Sequence, residues 1–215
     1  MIATLDLEAL RRGADAPVLA GRSDLAAVAA DLADAFAEDV MFDWMLRPDS
    51  RRDSARLDFF DFIVRNVAFG AGRIERPATG GAAAIWMPFE ALRPTPLLTE
   101  LRALPILLRA TGLARFGRLT AVRETMDKHH PLDRPHAYLM FLGVARAAQG
   151  HGVGSRLLKV GTDRCDAAGL PAYLETQTER NIALYRRHGF EVTGENRPRP
   201  DAPPLWSMWR EPVAP

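Results

Sequence analysis

Apolar positions fall into two rhythms along this chain, one with the spacing of helices and one with the alternation of strands. Pro17-Val18-Leu19-Ala20 predicts a short edge strand. Ser23 in the N-cap position and Asp24 in the first turn precede Leu25, Val28, Leu32, Ala35 and Phe36 at helical spacing, which predicts a first helix to about Asp39. Beyond Pro48, the residues Leu57, Phe60, Ile63, Val64 and Val67 mark a second helix, stopped by Gly70 and Gly72. A hairpin follows, with strands Arg73–Arg76 and Ala82–Met87 around the turn Pro77-Ala78-Thr79-Gly80-Gly81.

Residues 88–135 return to helical spacing. Thr95-Pro96 is a start signal, and Leu97, Leu98, Leu101, Leu104, Leu107 and Leu108 form one stripe that Pro105 should bend. A second piece after Gly112 carries Leu113, Phe116, Leu119, Val122 and Met126. The stripe reads as core packing ahead of a partner or membrane surface. The run Tyr138–Val144 then predicts a strand, Arg146–Ser155 a glycine-rich loop, and the amphipathic segment after it a helix. A strand Ala172-Tyr173-Leu174 ends at Glu175, and the alternation of Trp206, Met208 and Trp209 predicts a last strand covering the sheet.

Size and charge narrow the possibilities. The 215 residues, 47% hydrophobic and 26% charged, suit one α/β domain over 17–215, preceded by a variable N-terminal extension over 1–16 and elaborated by the helical insert 88–135. Twenty-eight basic residues against 27 acidic ones leave +1, so no global field points to nucleic acid or to a membrane surface. Cys165 is the one cysteine, which excludes a disulfide framework and a Cys-x-x-Cys pair and favours a cytoplasmic setting. No apolar run reaches about 18 residues, so no membrane span is expected.

The glycine loop carries the chemistry. Gly150, Gly152 and Gly154 lack a β-carbon, so the chain can turn sharply and let a pyrophosphate approach the unpaired N–H groups that open the next helix. A Walker-type loop requires Gly-Lys-Ser/Thr, and Gly154-Ser155-Arg156 has no such lysine. A dinucleotide fingerprint would place glycine where Ser155 stands, and about 60 residues remain, too few for a doubly wound domain. The remaining pattern, Arg/Gln-x-x-Gly-x-Gly/Ala, is written here as Gln149-Gly150-His151-Gly152-Val153-Gly154. Together with Leu142-Gly143-Val144, Leu174-Glu175-Thr176 and Asn181-x-x-x-Tyr185-x-x-x-Gly189-Phe190, it makes the stretch from His136 to about Trp209 resemble the GNAT superfamily of acyl-CoA-dependent N-acyltransferases, in particular its puromycin N-acetyltransferase-like branch.

That resemblance implies a mixed, mostly antiparallel central sheet flanked by helices, with the insert between the third and fourth strands. It implies acetyl-CoA as co-substrate, no metal, and transfer to the primary amine of a small molecule by a monomer or homodimer. Backbone groups of Gln149, Gly150, His151, Gly152, Val153, Gly154 and Ser155 would hold the pyrophosphate, and Leu142, Gly143 and Val144 the pantetheine. Tyr185 would protonate the departing thiolate, and Asn181 would contact the cofactor or stand as an exposed polar residue. Glu175 is the candidate base, directly or through water; attraction of a cationic substrate and structural ion pairing are its other readings. Trp86, Met87, Phe89, Phe42 and Trp44 are acceptor-pocket walls or core, and His136 is placed to point into the cleft. The cluster His129, His130, Asp133 and His136 lacks metal-ligand spacing, being interrupted by two prolines. A peptide or protein acceptor, and a non-catalytic acyl-CoA sensor, are the competing readings.

Overall fold

A computed structural model describes residues 6–92 and 97–214. Helix α1 (Leu7–Asp15) starts at Asp6, whose carboxylate accepts from Ala9 N–H at 2.9 Å. The segment expected as a variable extension thus carries a helix, and its Leu10 and Ala14 are buried in a cluster with Ala82, Val153 and Leu157. After β1 (Val18–Leu19), Ser23 is not the cap: a 3₁₀ turn over Arg22–Asp24, capped two residues earlier at Gly21, whose N–H donates to the Asp24 carboxylate at 2.8 Å, leads into α2 (Leu25–Ala35). This helix stops at Ala35 and does not run to Asp39. The Asp39 carboxylate instead accepts from Met41 and Phe42 N–H, each at 3.0 Å, and so starts a separate helix α3 (Val40–Met45).

The second expected helix is α4 (Arg52–Phe62), which widens into a π-helical turn over Ile63–Ala68 before Gly70. Next come β2 (Arg73–Arg76), β3 (Ala82–Pro88) and the insert helix α5 (Leu97–His129). The backbone of α5 leaves helical values at Gly112, with φ 67°, while Pro105 lies within the first arm. Val122 is buried, and Leu107, Leu119 and Met126 pack on the core; Leu101, Leu104 and Leu113 are exposed. The start signal Thr95-Pro96 and the side chains of Leu97 and Leu98 lie outside the described residues. The chain closes with β4 (Ala137–Val144), α6 (Val153–Ala167), β5 (Ala172–Thr176), α7 (Glu179–Arg187), β6 (Glu191–Asn196) and β7 (Leu205–Arg210).

The seven strands form one sheet in the order β1-β2-β3-β4-β5-β7-β6, antiparallel except for β4 beside β5, and the insert lies between β3 and β4 as the resemblance implied. One face packs on α2 to α5, and the other on α1, α6 and α7. Two glycines set how closely the helices approach. A Cβ on Gly143 would stand 2.7 Å from Leu32 and 2.9 Å from Ala35 of α2, and one on Gly161 of α6 would stand 2.3 Å from the Trp86 ring. Strand β3 runs Ala82-Ala83-Ala84-Ile85-Trp86-Met87 buried throughout, as expected of a strand covered on both faces. Among the described residues, no helix is long and apolar enough to cross a membrane.

Candidate active site

The seam between β4 and β5 is the opening in the sheet. Only Ala137↔Ala172 and Tyr138↔Tyr173 pair across it, whereas β4 pairs with β3 along its whole length. The β3 register jumps from Leu139↔Trp86 to Phe141↔Ile85, which leaves Met140 as an extra residue in a bulge. Ala137 N–H donates to Pro171 on the β5 side, and Ala145 N–H donates to Gly81 on the β3 side. Peptide groups alternate along a strand, so these two odd-numbered residues face opposite ways only because the bulge intervenes. Beyond it, Leu142 and Val144 turn their peptide groups into the open seam. The Val144 carbonyl is taken by the Gln149 side chain at 3.0 Å, which leaves Leu142 N–H and C=O and Val144 N–H available.

The glycine loop sits at the wide end of this seam. Gly150 and Gly152 adopt φ of 80° and 81°, a left-handed conformation that glycine takes without strain, and Gly152 is the N-cap of α6. Gln149 N–H closes a turn onto Arg146 C=O at 3.2 Å and its amide also leans on Ala35 C=O at 3.3 Å, so Gln149 anchors the loop and does not offer its N–H. Among the described residues, the N–H groups of 150–155 have no protein acceptor, and they gather at a helix N-terminus where partial positive charge accumulates. Asp34 fixes the loop entrance by accepting from Arg146 N–H at 2.7 Å and Nε at 3.0 Å; Arg11 donates to His151 C=O at 2.9 Å. The Ser155 hydroxyl is paired with His188 Nε2 at 2.7 Å.

Tyr185 stands on the α6–α7 face. Thr178 caps α7, and the helix buries Ile182 and Tyr185 among Leu158, Leu174, Phe190 and Met208. The phenol makes no hydrogen bond among the described residues, and burial, followed by the negative charge of Asp39, pushes it well above its ordinary value of 10.0. Asn181, one turn earlier, is half-buried and gives only its backbone N–H to the cap.

Glu175 lies on the opposite face, within β5 and not at its end, paired in register with Ser207. Its side chain is 4% exposed and Oε1 has no hydrogen-bond partner. His130 Nδ1 stands 3.7 Å from that oxygen, His130 Nε2 is 3.0 Å from His136 Nε2, and His136 Nδ1 is 2.8 Å from Arg134 C=O. Tyr138 and Tyr173 close the nest: burial first, then the Glu175 charge, raises both phenols, and Tyr173 donates to Ser207 at 3.1 Å. His136 is fully buried, with Phe89 edge-on at 5.3 Å, and its burial lowers its basicity. His129 turns away, onto Thr125 C=O at 2.8 Å. Among the described residues, no group of three or more His, Cys, Asp or Glu is arranged to hold a metal ion.

The remaining pocket residues divide between the two faces. Trp86 lies on the α6 side, its ring against Gly161 and 5.7 Å from the Arg164 guanidinium. Met87 is buried in the core on the α2–α5 side. Phe42 stacks on Phe60 at 5.3 Å within an aromatic group that includes Phe36, Phe59 and Phe141. Trp44 donates to Asp201 at 3.0 Å and lies under Arg118 at 4.9 Å. Arg118 also donates to Trp44 C=O at 2.9 Å, and Arg115 donates to Asp43 C=O at 3.0 Å and Leu46 C=O at 2.5 Å. These two insert residues therefore satisfy the carbonyls that end α3. Asp39, inside the apolar run that predicted one continuous helix, lies close enough for its charge to act on this region. Burial raises its carboxyl above the usual range, and its charge reaches the Tyr185 phenol.

Residues 97–190 match the model of the acetyltransferase (GNAT) family. The fold aligns with a crystal structure of histone acetyltransferase HPA2 and related acetyltransferase from Corynebacterium glutamicum, at 27% identity and a TM-score of 0.68, over 93% of this chain and 97% of that one. It aligns with arylalkylamine N-acetyltransferase 2 from Aedes aegypti at 12% identity and 0.60, over 91% and 97%. An agmatine N-acetyltransferase aligns at 16% and 0.57, over 91% and 98%.

Proposed function

We propose that this protein is a member of the acetyltransferase (GNAT) family, whose model matches residues 97–190, and that it is an acetyl-CoA-dependent N-acetyltransferase acting on the primary amine of a small molecule. On its four motifs we place it in the puromycin N-acetyltransferase-like branch. The observation that carries the reading is the open β4–β5 seam, bordered by unpaired peptide groups at Leu142 and Val144, closed at one end by free loop N–H groups, and flanked by Tyr185 on one face and Glu175 on the other.

The pyrophosphate of acetyl-CoA would sit on the N–H groups of 150–155, and its pantetheine amides would add to the seam as a further strand segment. The acceptor enters from the α2–α5 face. Glu175 takes a proton from the ammonium, the neutral amine attacks the thioester carbonyl carbon, and the C–S bond breaks as Tyr185 gives its proton to the leaving thiolate in a single ternary complex; the second proton that the nitrogen sheds on becoming an amide restores the phenol, and the proton on Glu175 leaves to solvent. A phenol raised by burial is fully protonated at neutral pH, as an acid must be before it acts. The strapping of α3 to the insert by Arg115 and Arg118 favours a walled acceptor site over an open peptide groove. Relatives in fold are named for agmatine and arylalkylamines, which are small amines.

The test is acetyl-CoA-dependent release of free thiol across amines, polyamines, amino acids, antibiotics and peptides, with Tyr185→Phe alongside. Turnover of a small amine, falling about a hundredfold in the variant, is the expected result. Turnover of peptides alone would replace the acceptor class, and unchanged turnover in the variant would remove Tyr185 from the acid role.

A further inference from the structure

The Glu175 nest constrains where the protons of its two imidazoles lie. His136 Nδ1 faces the Arg134 carbonyl at 2.8 Å; a carbonyl only accepts, so this nitrogen carries a proton. His130 and His136 meet Nε2 to Nε2 at 3.0 Å, which requires one proton between them. Burial lowers the basicity of His136, and with its proton on Nδ1 its Nε2 is a bare acceptor. The Nε2 proton in the shared contact then belongs to His130, whose Nδ1 is left facing Glu175 Oε1 at 3.7 Å, where one further proton would place a cation beside the buried carboxylate.

We propose that His130 is a positioning residue for Glu175: it stands as an imidazolium, oriented by His136 and the Arg134 carbonyl, and holds the buried carboxylate in its charged form. The 3.7 Å separation makes the contact an ion pair and not a hydrogen bond, so Glu175 Oε1 takes no hydrogen bond from His130 while its charge is balanced. A base needs that combination, because a carboxylate hydrogen-bonded on both oxygens is a poor acceptor and a buried one without a counter-charge takes up a proton before the substrate arrives. The other groups facing the pair from its surroundings are the Tyr138 and Tyr173 phenols, which stay neutral, and the more distant carboxylates of Asp127 and Asp133, whose charges act on Tyr138 and His136. The two histidines are six residues apart, on either side of Pro131 and Pro135, and that short connection turns the end of α5 back onto the start of β4 to bring the rings together.

The proposal builds on Glu175 as the base, but its first test does not depend on turnover. Long-range ¹H–¹⁵N correlation spectra of protein labelled at histidine should show, at pH 7, both His130 nitrogens protonated and His136 as a single tautomer with its proton on Nδ1. In Glu175→Gln, His130 should become neutral. A neutral His130 in the unaltered protein, its Nδ1 bare or facing a protonated Glu175, would overturn the proposal. The second test is kinetic: His130→Gln should lower turnover at pH 7 about tenfold with little change in the KM for acetyl-CoA. An imidazolium seen by NMR together with undiminished turnover in His130→Gln would overturn the positioning role. Thiol release by the unaltered protein would still report on acetyl transfer itself.

Discussion

Tyr185 and Glu175 are buried to a similar degree on opposite faces of one seam, yet their surroundings differ in kind. Tyr185 is enclosed by Leu158, Leu174, Ile182, Phe190 and Met208 and has no polar partner among the described residues. Glu175 sits among two imidazoles and two phenols. An apolar shell favours whichever form of a group is neutral, and for a phenol that is the proton donor. A polar nest that can hold a cation favours the charged form of a carboxylate, which is the proton acceptor. In the proposed reading one fold thus sets an acid and a base on either side of a two-residue strand pairing, using burial in both places and changing only what the burial is made of.

The largest expected effect comes from loosening the acid side alone. Arg210 binds Asp166 through both nitrogens at 2.6 and 2.7 Å and donates to His188 C=O at 2.7 Å, so it ties the end of α7, and with it Tyr185, to α6. Asp166→Ala leaves that buried guanidinium unpaired and should cost about 3 kcal/mol in urea denaturation at pH 7. The Arg210 hydrogen bonds hold the Asp166 carboxyl below its ordinary 3.8. The contribution is therefore complete above pH 3.8 and is lost as the pH falls through the lower folded value, so the stability gap between the two proteins should narrow in acid.

Breaking the base side alone, Glu175→Gln should lower turnover about a hundredfold while leaving acetyl-CoA binding, read by calorimetry, intact. Gly161→Ala presses on the acid face from behind: its Cβ would stand 2.3 Å from the rigid Trp86 ring, and a loss of about 2 kcal/mol in thermal unfolding is expected. The smallest effect sharpens the contrast. Asp39→Asn retains an equally good helix cap but removes the carboxylate that reaches Tyr185, and it should raise the KM for the amine about tenfold with kcat nearly unchanged. A collapse of kcat in this variant, with Glu175→Gln active, would transfer the base role to Asp39.

The acid side was the more legible in the sequence, because its determinants are local: the glycine loop, the Thr178 cap and the i, i+4 pair Asn181 and Tyr185 lie within one strand–helix–strand–helix stretch. The hairpin, the insert and the break at Gly112 were legible for the same reason. The base side was not, because its parts meet only in three dimensions. His130 ends a turn after α5, His136 precedes β4, Glu175 is on β5, and no spacing in the chain announces that they converge. Asp39 was hidden differently. Ala35 and Phe36 extend the helical rhythm, and the competing signal, an aspartate followed by Val40-Met41-Phe42, marks a new helix start within the same apolar run. Gln149 was read as a backbone donor because spacing reports position and not which of a residue's groups is already engaged.

The extra residue at Met140 works like an inserted letter in a two-letter code. Every peptide group downstream of it in β4 is read in the shifted frame, and the shift is what aims those of Leu142 and Val144 into the seam. Substituting Met140 changes one side chain, but flattening the bulge with Met140 kept in the ladder would turn those groups toward β3 and put the side chains of 141–144 on the wrong faces. Removing Met140 and the bulge together would leave Leu142 and Val144 aimed at the seam, so the length of this strand and its irregularity are tied, and neither can change alone without closing the opening.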